Sequence, residues 1–381
     1  MKTLFTEEEK TLLGLLRGEM CSDTALVAQA KRLANQQGIL PLLGEILKDD
    51  EAVYQSSMRN VRQYYYLLFK TKYYVNLLSE AGIETVILKG FPVAKYYPIP
   101  QLRKSGDIDL LLLHPEEITK AIEVLTAHGV MQMEEQHANY HVALMTKEKI
   151  EIELHTSLTE ELDDARVNQK LKLLEKELSE HVEWTYICDN LFPVLSPGYQ
   201  AFSLLLHMLH HFMRSGFGLK LLMDWTYFWN HGMDEEERKI YDRCMDTIGL
   251  RGFSEMISSA CYFELGLKDA SLLGEQIRRE TAESFLKDVL ESYEFGSVQD
   301  QQMVKMRGTK MQDFLREFHH QMHLNYPKAG KVWAIWPVLW IATLVRFLVN
   351  NHTVRNTSMV AVLRNAKSRS SYMEEIKLFQ K

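Results

Sequence analysis

The stretch that most constrains the fold is "DIDLLLL", residues 107–113, where Asp107 and Asp109 flank one isoleucine at the mouth of an unbroken leucine run. A strand places residues i and i+2 on the same face, so the two aspartates project together while Ile108 and Leu110 enter the core. Two carboxylates held side by side repel each other and raise one pKa unless a cation lies between them. A hard divalent ion with oxygen ligands, above all Mg²⁺, resolves that conflict. A second acidic strand follows in "KIEIELH", residues 149–155. Its alternation puts Glu151, Glu153 and His155 on one face and Ile150, Ile152 and Leu154 on the other. If this strand lies beside the first, a third carboxylate closes a two-metal site of the kind that activates a hydroxyl and stabilises a leaving pyrophosphate. Alone, a D-x-D at a strand start is more often a solvated strand end.

The flanking patterns place these strands in a larger unit. Before residue 82 the chain reads as helices. Asp23 is an N-cap, Leu26, Ala30 and Leu33 and then Ile39, Leu40 and Leu43 recur at helical intervals, and Gly38 breaks the run. A long tyrosine-rich helix is expected over 52–81, its tyrosines packed with their hydroxyls at the edge. At Gly82 the period changes. "ETVILKG" reads as a short strand ending in glycine, and "PEEITKAIEVLTAHG" as a helix with Pro115 in its first turn and Gly129 at its stop. "YHVALMT" and "KIEIELH" read as two further strands joined by the polar turn "KEK". From Ser196, an N-cap followed by Pro197, the helical period returns and runs to about residue 326.

With 381 residues the chain has room for two or three domains, each with its own core. Its formal net charge of −7 disfavours a protein that coats nucleic acid, because phosphate backbones reward a basic surface. Cys21, Cys188, Cys244 and Cys261 lie far apart, which reads as reduced, mostly buried thiols of a cytosolic protein. The start, "MKTLFTEEEK", turns acidic at once and lacks the apolar core of a signal peptide, so a cytoplasmic location is expected. Residues 332–345 carry no charge, but fourteen residues interrupted by Pro337 are too few to span a bilayer. They read as a buried or domain-docking helix. The alternative is peripheral membrane contact through residues 332–349, supported by Arg355, Arg364, Lys367 and Arg369 in the tail.

"ILKG" supplies a strand-to-helix turn whose glycine lets backbone amides approach phosphate, and Lys89 and Arg103 add positive charge suited to a triphosphate. The series "ILKG…R…GDIDLLL…IEIELH" resembles the uncharacterised bacterial nucleotidyltransferase family within the DNA polymerase β-type superfamily. "AKRLANQQGILPLL" resembles that family's upstream helices and "LLHMLHHFMRSGFGLKLLMDW" its downstream pair, so the likeness covers about residues 25 to 235. Carried over, the resemblance makes Gly90 the glycine of the nucleotide-binding turn and Asp107 and Asp109 the metal pair, with Gly106 before them expected to contact the nucleotide. It makes Glu153 the third carboxylate, with Glu151 as runner-up. It also implies two Mg²⁺ ions and an NTP donor. The departure is Phe91, where the wider superfamily has a second small residue.

Downstream, His207, His210 and His211 stand at i, i+3 and i+4 on one helix. A zinc site there would need another ligand that the sequence does not offer nearby, and packing is the simpler reading of the residues alone. The resemblance instead favours a nucleotide- or acceptor-cleft role for His207 with Arg214, Lys220 and Asp224. "DEEER", residues 234–238, reads as solvated surface, and His137 and His141 as structural histidines.

The expected fold is therefore α+β, a nucleotidyltransferase-type mixed β-sheet core flanked by N-terminal and C-terminal helical regions. Its expected divisions are an N-terminal helical region over 1–81, the core over 82–195, a cleft-completing helical domain over 196–330, and an apolar helix with a basic tail over 331–381. The expected function is Mg²⁺-dependent transfer of a nucleoside monophosphate to a hydroxyl of a small-molecule, sugar or protein acceptor. The rival is a catalytically inactive nucleotide-binding or interaction protein of the same fold.

Overall fold

The computed structural model describes residues 4–133, 140–162, 164–214, 216–292 and 332–343, together with positions 319, 322, 323, 326 and 376. His137 and the basic tail lie outside these residues, as does the side chain of Arg214. The chain opens with α1 (Glu7–Leu16), α2 (Thr24–Gln36) and the thirty-residue α3 (Glu51–Glu80). Each starts where a side chain satisfies otherwise orphaned amides. Thr6 and Glu9 form a reciprocal capping box on α1, Asp23 caps α2, and Asp50 caps α3.

The sheet begins with β1 (Thr85–Ile87), which leads through Gly90 into the short helix α4 (Phe91–Ala94), and continues with β2 (Asp107–Leu112). Then come α5 (Ile118–Ala127), β3 (Met131–Gln132), β4 (His141–Met145), β5 (Glu151–His155) and α6 (Ala165–Glu175). A hairpin of β6 (Val182–Ile187) and β7 (Asn190–Leu195) follows. The strand order is β3-β4-β5-β2-β1-β7-β6, a mixed sheet in which β2 runs parallel to β5 and antiparallel to β1. Helices α7 (Pro197–Arg214), α8 (Leu219–His231), α9 (Glu235–Ile248), α10 (Arg251–Glu264) and α11 (Arg279–Ser292) complete the layer.

Strand alternation divides the hydrophobic interior in two. Ile108, Leu110, Ile152 and Leu154 pack with Leu67 and Leu68 of α3 and Leu125 of α5 in one core. Leu88 and Leu111 belong instead to the core built with α7, α8, α10 and α11. The face carrying Asp107 and Asp109 is thereby the one turned toward the C-terminal helices.

Several expectations need correction. The β6–β7 hairpin was not expected. Its turn is Cys188-Asp189, both in the left-handed region at φ 47° and 59°, without the glycine that advertises such turns. On α3, Tyr64 and Tyr74 are buried, whereas Tyr65, Tyr66 and Tyr73 are exposed, with Tyr65 and Tyr73 set edge-on against the two buried rings. The acidic run is more than solvated surface: Asp234 caps α9, and Glu237 Oε2 accepts hydrogen bonds from the Ser196 hydroxyl (2.8 Å) and the Gly198 amide (2.6 Å). Ser196 therefore serves the start of α7 through Glu237. Cys244 and Cys261 are buried, as expected, whereas Cys188 is exposed. Among residues 332–343, Trp333, Val338 and Ile341 are exposed while Leu339 and Thr343 are buried, and among the described residues no helix is long and apolar enough to cross a membrane.

Candidate functional site

The parallel pairing of β2 with β5 sets Asp107 opposite Glu151 and Asp109 opposite Glu153. One carboxylate oxygen each from Asp107, Asp109 and Glu153 comes within 4.8 Å of the other two. These three line a cavity of about 320 Å³, whereas Glu151 lies one register step outward and does not line it. Burial raises the Glu151 carboxyl, and the charges of Glu153, Asp107 and Asp109 raise it further. The donor set is all oxygen and hard, as Mg²⁺ prefers. Lys220 and Arg103 line the same cavity, and one further lysine stands directly among the three carboxylates.

That lysine is Lys89. The Leu88 amide donates to the Asp109 carbonyl (3.2 Å), and the Leu88 carbonyl accepts from Gln200 Nε2 on α7 (2.9 Å). These bonds carry Lys89 over β2, where its Nζ lies 2.7 Å from Asp109 Oδ1. Burial opposes the charge, but Asp109, Glu153 and Asp107 together hold the ammonium above its usual range. Gly90 follows at φ 76°, ψ −112°, a conformation glycine adopts at little cost, and no atom lies within 4 Å of where a Cβ would stand. Phe91 turns away from the cavity, 3% exposed and set edge-on against Tyr64 at 5.0 Å. Its bulk thus fills the core and leaves the turn open.

Arg103 lines the cavity as expected of a nucleotide contact, and it and Asp224, also expected to meet the nucleotide, are bonded to each other. Arg103 Nε donates to Asp224 Oδ1 (2.7 Å) and Nη2 to Oδ2 (2.8 Å), with side chains 4% and 2% exposed. Tyr97 adds a third hydrogen bond to Oδ1 (2.6 Å), and Arg103 Nη1 donates to Ser105 Oγ (2.6 Å). Asp224 does not line the cavity, and neither does Gly106, which opens β2 in an exposed position. The pair ties the loop before β2 to α8, bidentate in the manner arginine allows.

The opposite wall comes from α7 and α8: His207, His210, His211 and Lys220 all line the cavity. His207 and His211, one turn apart, meet edge-on at 4.5 Å between ring centroids. Burial, followed by the charge of Lys89, holds His207 well below its usual pKa. His210 Nδ1 stands 3.1 Å from Glu160.

Among the cavity residues outside the expected site are Tyr140, His141 and His155. His155 Nε2 lies 3.2 Å from Asp109 Oδ1 and 3.1 Å from Glu153 Oε2. Burial opposes its protonation, yet these two carboxylates raise its pKa. Burial also works against the Glu153 charge, but the His155 hydrogen bond and Lys89 pull that carboxyl down to about 2. The alternation of "KIEIELH" already put His155 on the acidic face. His141 needed the β4–β5 register, which sets it opposite His155.

The fold is α+β, a mixed seven-stranded sheet with helical regions on either side in the chain. Residues 27–257 match the family described as uncharacterised nucleotidyltransferase, and the chain belongs to that family. Among solved structures it is similar to an antigenic nucleotidyltransferase-like protein from Paracoccidioides brasiliensis, at 11% identity and a TM-score of 0.31, covering 52% of this chain and 92% of that one. That likeness is too distant to bear on the site. No curated protein matches the chain.

Proposed function

We propose that this chain is an Mg²⁺-dependent nucleotidyltransferase that moves a nucleoside monophosphate from an NTP to a hydroxyl of a small-molecule, sugar or protein acceptor. The observation that carries the reading is the convergence of Asp107, Asp109 and Glu153, within 4.8 Å, on one wall of a cavity whose other wall holds Lys220 and His207. Those carboxylates would hold two Mg²⁺ ions, which when bound would acidify the attacking hydroxyl and offset charge on the leaving pyrophosphate.

The chain's own residues do the rest. Lys89 keeps a fixed positive charge beside Asp109, where it meets phosphate oxygens entering the cavity. Gly90 leaves its backbone open to close approach by a phosphate. His207, on the facing wall, offers hydrogen bonds to base or ribose. Arg103 is a positioning residue, fixing the loop before β2 through Asp224. The acidic net charge favours a compact acceptor over bulk nucleic acid. Phe91, the residue that favoured an inactive binding module, is packed into the core and leaves the Gly90 turn open, which supports the transferase reading.

The test is turnover. Purified protein given labelled NTPs, Mg²⁺ and a panel of hydroxyl acceptors is expected to release pyrophosphate. Asp107→Ala with Asp109→Ala is expected to abolish that release. Undiminished release by the double variant overturns the reading.

A further inference from the structure

The site contains a second donor set of different chemistry. Strands β4, β5 and β2 form a small lattice on the cavity face: His141 lies opposite His155, Ala143 opposite Glu153, and Glu153 opposite Asp109. Side chains opposite each other on neighbouring strands are close enough to touch, and diagonal neighbours come within reach when both are long. Ala143, the small residue between them, leaves His141 free to lean along the diagonal toward Glu153. Ligand atoms of His141, Glu153 and His155 accordingly fall within 4.8 Å of one another.

A second observation points to a ligand. His155 is 3% exposed, and its Nδ1 is buried without a hydrogen-bond partner. The buried Nδ1 of His141 is likewise without one. Buried imidazole nitrogens are ordinarily satisfied, so two orphans on facing histidines call for a partner, while the nitrogen that His155 turns to Glu153 Oε2 is its Nε2, 3.1 Å away.

We propose that His141, Glu153 and His155 form a binding site for a first-row transition-metal dication such as Mn²⁺, Fe²⁺, Co²⁺ or Zn²⁺. Two imidazoles and one carboxylate suit these borderline ions, whereas Mg²⁺ takes oxygen ligands. Glu153 belongs to both donor sets, so the transition metal sits beside the position assigned to Mg²⁺ and shares that carboxylate. The inference does not depend on nucleotidyl transfer: the site holds its ion whether or not the chain turns over an NTP.

The test uses the full chain, Co²⁺ for affinity and pulsed EPR with Mn²⁺ for ligand identity. Wild-type protein is expected to bind Co²⁺ with visible d–d absorption and to show nitrogen coupling from imidazole in the Mn²⁺ spectrum. His141→Ala is expected to weaken Co²⁺ binding by more than about 100-fold, beyond the 10- to 100-fold typical of losing an outer-sphere partner. His141→Gln, which keeps bulk and polarity at this partly exposed position, is expected to lose the nitrogen signal of that ligand while retaining the wild-type circular dichroism spectrum. Asp107→Ala is expected to keep the imidazole coupling, since Asp107 is outside this donor set. A wild-type spectrum without nitrogen coupling, or a folded His141→Gln protein that binds Co²⁺ as tightly as wild type, overturns the proposal. Imidazole coupling in a protein that releases no pyrophosphate upholds this site and removes the transferase reading; turnover without coupling does the reverse.

Discussion

Asp224→Ala tests whether the Arg103–Asp224 pair is a structural clamp rather than a grip on triphosphate. Truncation strands the Arg103 guanidinium at 5% exposure and removes the acceptor of two of its hydrogen bonds and of the Tyr97 hydroxyl. Breaking a buried ion pair by deleting one partner costs about 3–5 kcal/mol, because the surviving charge stays desolvated. Arg103→Met strands the carboxylate and is expected to cost a similar amount. The double variant Arg103→Met/Asp224→Leu leaves no buried charge. Its loss is expected to fall below the sum of the single losses by about 3 kcal/mol or more, since apolar replacement of a whole buried pair is often neutral. Urea denaturation followed by circular dichroism and tryptophan fluorescence measures all three, with Trp225 and Trp229 reporting from α8 itself. A loss under about 1 kcal/mol for Asp224→Ala, well short of the range for a buried pair, would refute the clamp. Strictly additive losses in the double variant would refute it equally.

Glu153, depressed from its ordinary 4.5 to about 2, contributes stability that is fully present above its unfolded value and is lost as pH falls through that window. Glu153→Gln is therefore expected to flatten the dependence of urea midpoint on pH between those two values, and an unchanged slope would contradict the assignment. Gly90→Ala meets no neighbouring atom, so its cost is backbone strain at φ 76°, about 1–3 kcal/mol, seen as a lower melting temperature. An unshifted transition would show that the turn is not held at positive φ. Cys188, exposed at its hairpin turn, is expected to react with a thiol reagent in the native protein, whereas Cys244 and Cys261 react only on unfolding. Equal rates for all three would be inconsistent with the packing.

What could be read from the sequence was what local periodicity encodes. Alternation gave β2 and β5, and with them the faces of Asp107, Asp109, Glu153 and His155, because a strand's side-chain period does not depend on its neighbours. Register does depend on them. Only the observed pairing puts Glu153 rather than Glu151 beside Asp109 in the cavity and brings His141 across from His155. Arg103 looked like a free cation because its partner lies 121 residues away, beyond any local pattern. The β6–β7 hairpin was hidden twice over. Its turn has no glycine, and Pro193 opposite Trp184 reads as a strand breaker. The capping role of Glu237 escaped notice for the same reason as Arg103: the amide it binds belongs to another helix.

The claim on which the account rests is that Asp107, Asp109 and Glu153 hold the ions that engage an NTP. Crystals grown with Mn²⁺ in place of Mg²⁺ and a non-hydrolysable NTP answer it by anomalous scattering. The account predicts an anomalous peak in contact with carboxylate oxygens of all three residues and with the triphosphate. A triphosphate bound with no peak at that trio, or bound outside the cavity altogether, would contradict it.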